Sequence, residues 1–153
     1  MSYHNGSVWP HGNALIALGL GRYGMRQAAA RLFEALFDAS IYIELRRLPE
    51  LFCGFPRRLG QGPTGYPVAC SPQAWAAATP LALLQACLGI GFDPAEHTVL
   101  FERPTLPRFL DEVVLRGLSI GNGRADLMLR RAGEEVAMHV LARSGRVRVV
   151  MVS

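Results

Sequence analysis

The sequence predicts an α+β chain, helices first and an antiparallel sheet after, on three observations. Apolar residues recur at three- and four-residue spacing up to Gly91. Beyond it they alternate, and Gly121-Asn122-Gly123, Ala132-Gly133 and Ser144-Gly145 interrupt the alternation with tight-turn signals. Residues 1–91 therefore read as a helical region and residues 92–153 as an antiparallel β subdomain.

Leu15, Ile16, Leu18 and Leu20 crowd a first helix, from Gly12 to about Tyr23, too densely for a surface element, so it is expected to be buried on most sides and to stop at Gly24. A second helix is expected from Met25 to Leu45. There Ala28, Leu32, Ala35, Leu36, Ala39 and Ile43 share one face, with Arg26, Arg31, Glu34 and Asp38 largely opposite. The short Gly24 break folds the two into an antiparallel hairpin, which brings the loop before the first helix and the loop after the second to the same rim. Arg46 to Ser71 is dense in proline and glycine and exceeds the roughly 12–15 residues usual for a structureless connection. Its Leu, Phe and Tyr content argues against disorder, which makes it the natural place for a site. Ser71-Pro72 supplies an N-cap and a first-position proline for a third helix, Gln73 to Leu88, ended by Gly89 and kinked or divided at Thr79-Pro80. A strand at His97–Phe101 and four runs, Glu112–Ile120, Arg124–Arg130, Glu135–Ala142 and Arg146–Val152, complete the chain as a meander. In the last run Arg146 and Arg148 alternate with Val147, Val149 and Met151, so one face is covered.

With 153 residues, half of them hydrophobic, the chain can bury a core of its own, and disorder is excluded. No apolar run reaches the roughly 18 residues of a membrane span, and the first residues resemble no export signal. No membrane partner is expected, and the expected compartment is the cytoplasm. Cys53, Cys70 and Cys87 form no Cys-x-x-Cys pair and lie near no regularly spaced histidines. They are read as reduced thiols, Cys87 in the core, with no metal site and no cofactor implied. The net charge of +4 comes entirely from scattered arginines without a single lysine, so a nucleic-acid partner is not expected.

Candidate chemistry gathers in two segments. Tyr3-His4-Asn5-Gly6-Ser7-Val8-Trp9-Pro10-His11 combines flat aromatic faces with imidazole, amide and hydroxyl groups, the inventory of a sugar subsite. The plain alternative is a helix-leading loop anchored by Trp9. The second segment runs from Leu48-Pro49-Glu50-Leu51-Phe52-Cys53-Gly54-Phe55-Pro56-Arg57 to Tyr66-Pro67-Val68-Ala69-Cys70-Ser71-Pro72-Gln73-Ala74-Trp75-Ala76. Glu50, between Pro49 and Leu51-Phe52, is the candidate catalytic carboxylate. Its plain alternative is a salt bridge to Arg46, Arg47 or Arg57. Tyr66 and Gln73 read as secondary contacts, Trp75 as a core residue and His139 as structural. Glu34 and Asp38 share a solvated helix face.

Taken together, the two segments resemble the C-terminal part of the bacterial amylo-alpha-1,6-glucosidase group, glycogen-debranching-enzyme-like glycoside hydrolases. The resemblance covers nearly the whole chain, most strongly before Gly91. It implies a three-helix segment of an (alpha/alpha) toroid of six helical hairpins in residues 1–91, followed by a small antiparallel β-meander in 92–153. It also implies an inverting hydrolase in which Glu50 is the general base and Tyr3, His4, Asn5, Trp9 and His11 line the sugar-binding loop. In the family the general acid lies on an earlier hairpin, so this chain is expected to lack it. One departure stands out: His11-Gly12-Asn13 stands where the family carries His-Asp-Asn. The implied function is a C-terminal fragment or subunit of a glycoside hydrolase acting on α-glucan or related oligosaccharides, and the alternative is a non-catalytic carbohydrate-binding or interaction module on that fold. Besides the oligosaccharide, the implied partner is the N-terminal part of a split enzyme or a second copy of the chain.

Overall fold

The computed structural model describes residues 2–153, and its first helix starts where proline chemistry favours it. Helix α1 spans Pro10–Arg22, with Pro10 at the first position, where its missing N–H leaves no bond unmade. Trp9 is the N-cap residue, and both the backbone N–H (3.0 Å) and the side-chain amide (2.9 Å) of Asn13 donate to its carbonyl. The helix thus begins two residues before Gly12. Its buried face is made of small residues, Ala14, Ala17 and Gly21, which lets it lie close against a later helix. Leu15 and Ile16 are 68% and 58% exposed, so α1 is covered on one side only, contrary to the density of its apolar residues.

Helix α2, Arg26–Ser40, buries Ala29, Ala30, Phe33 and Leu36 on the face the periodicity assigns. It ends five residues short of Leu45. The Ser40 hydroxyl donates to the Phe37 carbonyl at 2.7 Å, and the following run of Ile41, Tyr42 and Ile43 is rich in poor helix formers. A 3-10 turn at Glu44–Arg46 follows, with Leu45 and Arg46 in the left-handed region at φ 52° and 56°. Strand β1 (Ser7–Val8) pairs antiparallel with β2 (Phe52–Cys53), Ser7 opposite Cys53 and Val8 opposite Phe52. This two-residue ladder joins the loops at the two ends of the hairpin. Helix α3, Ala74–Leu88, takes Gln73 rather than Ser71 as its N-cap and runs undivided through Pro80. The Ser71–Pro72 peptide is cis, and the helix begins only after it.

The sheet half departs from a simple meander. β5 (Glu112–Ile120), β6 (Gly123–Ala132) and β7 (Glu135–Ser144) form an antiparallel three-stranded sheet in sequence order, joined at Gly121-Asn122 and Gly133-Glu134. β8 (Arg148–Val152) does not extend it. It pairs parallel with β4 (Thr98–Glu102), from Thr98 opposite Arg148 to Glu102 opposite Val152, while the other edge of β4 pairs antiparallel with β3 (Ile90–Asp93). The physical reason is burial. Val99 and Phe101 of β4 are fully buried, and Val149 and Met151 of β8 pack onto the cluster they belong to, whereas the outer part of β7 offers only exposed residues. Ala125, Leu127 and Leu129 alternate inward along β6, and Leu88, Leu106, Ile120 and Val147 close this core.

A second core lies among the helices, built from Ala14, Ala17, Ala29, Ala30, Phe33, Leu36, Phe52, Leu83, Ala86 and Cys87. Burial there pushes the Cys87 thiol up to about 12, so it stays protonated as a core residue. Leu84 packs against both cores, and the buried Arg26 bonds the Ala86 carbonyl (3.2 Å) and Glu102 of β4 (3.1 Å). The expected toroid segment is not what forms. Three helices that close around their own core leave no ring of helices among the described residues, and strands occupy as much of the chain as helices do, which makes this a small mixed α+β domain. No helix among the described residues is long and apolar enough to cross a membrane.

Candidate functional site

The β1–β2 ladder sets the geometry of the site. Gly54 donates its N–H to the Gly6 carbonyl at 2.8 Å, and a Cβ on Gly54 would collide with that same carbonyl. Gly6 itself has φ +82°, so both positions need glycine for the loops to touch. Glu50 is then fixed from a third segment: its N–H donates to the Cys70 carbonyl (2.8 Å), and the Cys70 N–H returns to Glu50 Oε2 (3.2 Å). The Tyr3 hydroxyl donates to Glu50 Oε1 at 2.5 Å. Both carboxylate oxygens are therefore held, and neither bond involves an arginine. Arg57 instead pairs with Asp38 at 3.3 Å along α2.

Around this carboxylate the aromatic groups form a connected chain. Tyr3 meets His4, Trp9 and Tyr66 edge-on, with ring centroids at 4.9, 5.1 and 5.7 Å. His4 stacks parallel to Trp9 at 5.7 Å, and Trp9 meets His11 edge-on at 5.5 Å. His11 in turn touches Trp75 at 5.2 Å. Gln73 joins through the carboxylate. Asn5 stands apart, exposed, its backbone closing a turn with Ser2. Seven of the eight residues named from the sequence thus meet in one place.

Electrostatics define what Glu50 can do. The Tyr3 hydroxyl first, then the Cys70 N–H, the Gln73 amide and the nearby His11 imidazole hold its carboxyl below the usual carboxylate range, against a smaller opposing effect of burial. It is ionised at neutral pH. The same bond, with desolvation, pushes the Tyr3 phenol up to about 12, so Tyr3 stays a donor. An ionised carboxylate suits a general base and not a general acid. Among the described residues no hydrogen bond links a second carboxylate to the cluster: Glu34 accepts the Arg108 N–H at 2.8 Å, Asp38 holds Arg57, Glu44 is exposed in its 3-10 turn, and the remaining acids lie beyond residue 90.

Trp75 is the residue that sequence reasoning placed wrongly. It is 65% exposed, standing off α3 beside His11 rather than in the core. Its position in the first turn of the helix, two residues after Gln73, is the signal that would have found it. The Cys70 backbone was also missed, since no side-chain pattern announces a backbone donor.

A cavity of about 640 Å³ lies elsewhere, between the Leu32, Leu36 and Ala39 face of α2 and the strap from Phe55 to Thr64. Cys53 borders it, but neither Glu50 nor any ring of the cluster does. We place the site at Glu50 because the groove is mostly apolar and its one ion pair is already satisfied, whereas the Glu50 surface concentrates chemically diverse groups. Among the described residues no three His, Cys, Asp or Glu side chains gather closely enough to hold a metal ion. Compared with known proteins, the chain matches no protein-family model and no curated protein significantly.

Proposed function

We propose that this chain is a part or subunit of a glycoside hydrolase acting on α-glucan or related oligosaccharides, in the manner of the amylo-alpha-1,6-glucosidase group, with Glu50 as its general base. The observation that carries the reading is the ionised Glu50 carboxylate, held by Tyr3 and Cys70 on an open surface lined by Trp9, His4, His11 and Tyr66. In an inverting hydrolysis Glu50 takes a proton from the water that attacks the anomeric carbon, while a carboxylic acid on the other side gives its proton to the departing glycosidic oxygen. That acid comes from a partner: the N-terminal part of a split enzyme or, less economically, a second copy of the chain. The reaction then takes place in the cytoplasm, where the three free thiols stay reduced.

A second reading, a non-catalytic carbohydrate-binding or interaction module, is favoured by Gly12 in place of the expected aspartate and by the single carboxylate in the cluster. The hydrolase and the carbohydrate-binding form of the second reading agree on sugar binding and differ on chemistry, whereas an interaction module needs neither.

Calorimetric titration of the isolated chain with maltooligosaccharides tests the shared part. Binding that weakens in Trp9→Ala is expected, and no binding at millimolar sugar sinks the hydrolase and the carbohydrate-binding module, leaving only the interaction module. Incubation with branched glucan and an activated aryl glucoside tests the difference. The isolated chain is expected to show no turnover, because losing either the acid or the base removes roughly 10²–10⁴-fold of rate. Turnover that vanishes in Glu50→Gln would mean that the acid lies within this chain after all.

A further inference from the structure

The strap from Phe55 to Thr64 is a loop whose two ends meet. The Cys53 N–H donates to the Thr64 carbonyl at 2.9 Å, and Phe52 bridges antiparallel to Gly65 just outside it. Compact loops closed in this way are frequently functional. Two further contacts tie it to the helical half. The Arg57 guanidinium donates to the Ala35 carbonyl and to Asp38 Oδ2 of α2, each at 3.3 Å, and Gly62 lies so close to Tyr42 that a Cβ there would collide with the Tyr42 side chain. The strap is thus fastened at its base, at Arg57 and at Gly62, and it still stands off α2 around a cavity of about 640 Å³. Packed interiors hold few voids larger than a water molecule, whereas small-molecule pockets run to about 300–1,000 Å³.

The lining states what such a pocket accepts. Leu32, Ala35, Leu36 and Ala39 follow one another at three- and four-residue spacing, so they form an apolar stripe roughly 10 Å long down one face of α2. Phe52 and Phe55 add aromatic walls, and the half-exposed Ile41 and Tyr42 extend the apolar surface. A polyhydroxylated sugar has the wrong surface for such a stripe; a straight alkyl chain has the right one. The charged residues of the lining are Arg57, Arg58 and Asp38, two cations against one anion. Asp38 is spent on Arg57, and Arg58 makes no ion pair among the described residues. The complement is one negative charge on a long apolar body.

We propose that this cavity is a second binding site, for an amphipathic monoanion: a straight-chain carboxylate whose alkyl chain lies along the α2 stripe beneath the strap and whose carboxylate pairs with Arg58. The proposal is independent of what the Glu50 cluster binds.

Calorimetric titration of the whole chain with octanoate, decanoate and decanol tests it. Decanoate is expected to bind roughly tenfold more tightly than octanoate, the gain from two further buried methylenes, and more tightly than the uncharged decanol. Arg58→Gln weakens decanoate roughly two- to fivefold and leaves decanol unchanged. Ala39→Phe, which places a ring on the stripe, weakens both by roughly tenfold or more. Hydrogen exchange of the wild-type chain, followed by mass spectrometry, locates the ligand without any substitution: decanoate is expected to slow exchange in residues 32–42 and 55–64. No binding of decanoate at about 1 mM overturns the proposal. So does protection that falls outside the strap and α2, or decanoate affinity that Arg58→Gln leaves unchanged.

Discussion

In the sheet half the fully buried side chains are large, Phe101, Leu127, Leu129 and Val99, whereas the closest helix faces are made of small ones, Ala14, Ala17, Gly21 and Ala86. The large apolar residues of the helical half divide. Phe33, Leu36 and Leu83 go inside, but Leu15, Ile16, Trp75 and Leu81 stand in solvent. The sheet half leaves Phe92, Val114, Val140, Leu141 and Val152 each less than half exposed, while the helical half turns more of its large apolar and aromatic residues fully outward, on the side of the chain that also carries the Glu50 cluster. The comparison teaches that apolar density in a helix reports burial only when something else is there to cover it, and that the surplus collects on the half that carries the candidate site.

The sharpest way to test this asymmetry is to truncate one residue of each kind. Phe101→Ala is expected to destabilise the chain by about 3–5 kcal/mol in denaturant unfolding, through a cavity in the sheet core. A loss under 1 kcal/mol would mean that the two sheets do not share a tight core. Next in size, Arg26→Met strips the Ala86 carbonyl of its donor and unties the helices from Glu102, with an expected loss of roughly 1–3 kcal/mol. Because Glu102 is largely exposed, its freed carboxylate is solvated, and the loss falls on the helix junction.

Tyr3→Phe probes the site at smaller amplitude, and its sign is set by the shifted groups. The Glu50 carboxyl is lowered in the folded state, so its contribution to stability is present above the unfolded carboxyl pKa and fades as pH falls through the folded value. The Tyr3 phenol is raised to about 12, so its contribution is whole below the unfolded value near 10 and fades as pH rises through about 12. In Tyr3→Phe both dependences are expected to shrink, and carbon-detected NMR titration should find the Glu50 carboxyl shifted back up. A Glu50 titration curve identical to the wild type would break the assignment of Tyr3 as its principal partner. Smallest of all, Ile16→Ser is expected to change stability by less than about 0.5 kcal/mol, since its side chain already faces solvent. Light scattering should read its effect instead: the wild-type chain, with Leu15 and Ile16 in solvent, is expected to associate at micromolar concentration, and Ile16→Ser to associate less.

The division into helices and strands was legible because period and turn residues agree: Ala125, Leu127 and Leu129 alternate as a half-buried strand must, and α2 buries the face its spacing assigns. Partners were less legible than elements. Alternation in β8 says which face is covered but not whether the neighbour is β7 or β4, and only the deeply buried Val99 and Phe101 decide it. The β1–β2 ladder is two residues long, too short for any periodic signal. The aromatic loop stood out by composition and Glu50 through the resemblance, since by its residues alone a salt bridge to a neighbouring arginine was the better reading, and the hairpin argument placed their loops on one rim. Trp75 was misplaced because an indole in an alanine-rich helix is usually interior, and the toroid was carried over from resemblance to a chain whose three helices close on themselves.

The pairing of β4 with β8 also has a bearing on time. Between Thr98 and Arg148 lies the entire three-stranded sheet, and the return path is tight, since a Cβ on Gly145 would meet the Asn122 carbonyl and one on Gly123 would meet that of Arg146. The local hairpins of β5, β6 and β7 close over short loops, whereas β8 must find a partner across the longest separation in this half of the chain. Docking of β8 is therefore expected to be a late event in folding. Until it happens Val99 and Phe101 are covered on one edge only, so substitutions that slow the Gly145 crossing should lengthen the aggregation-prone interval during refolding even where the finished structure tolerates them.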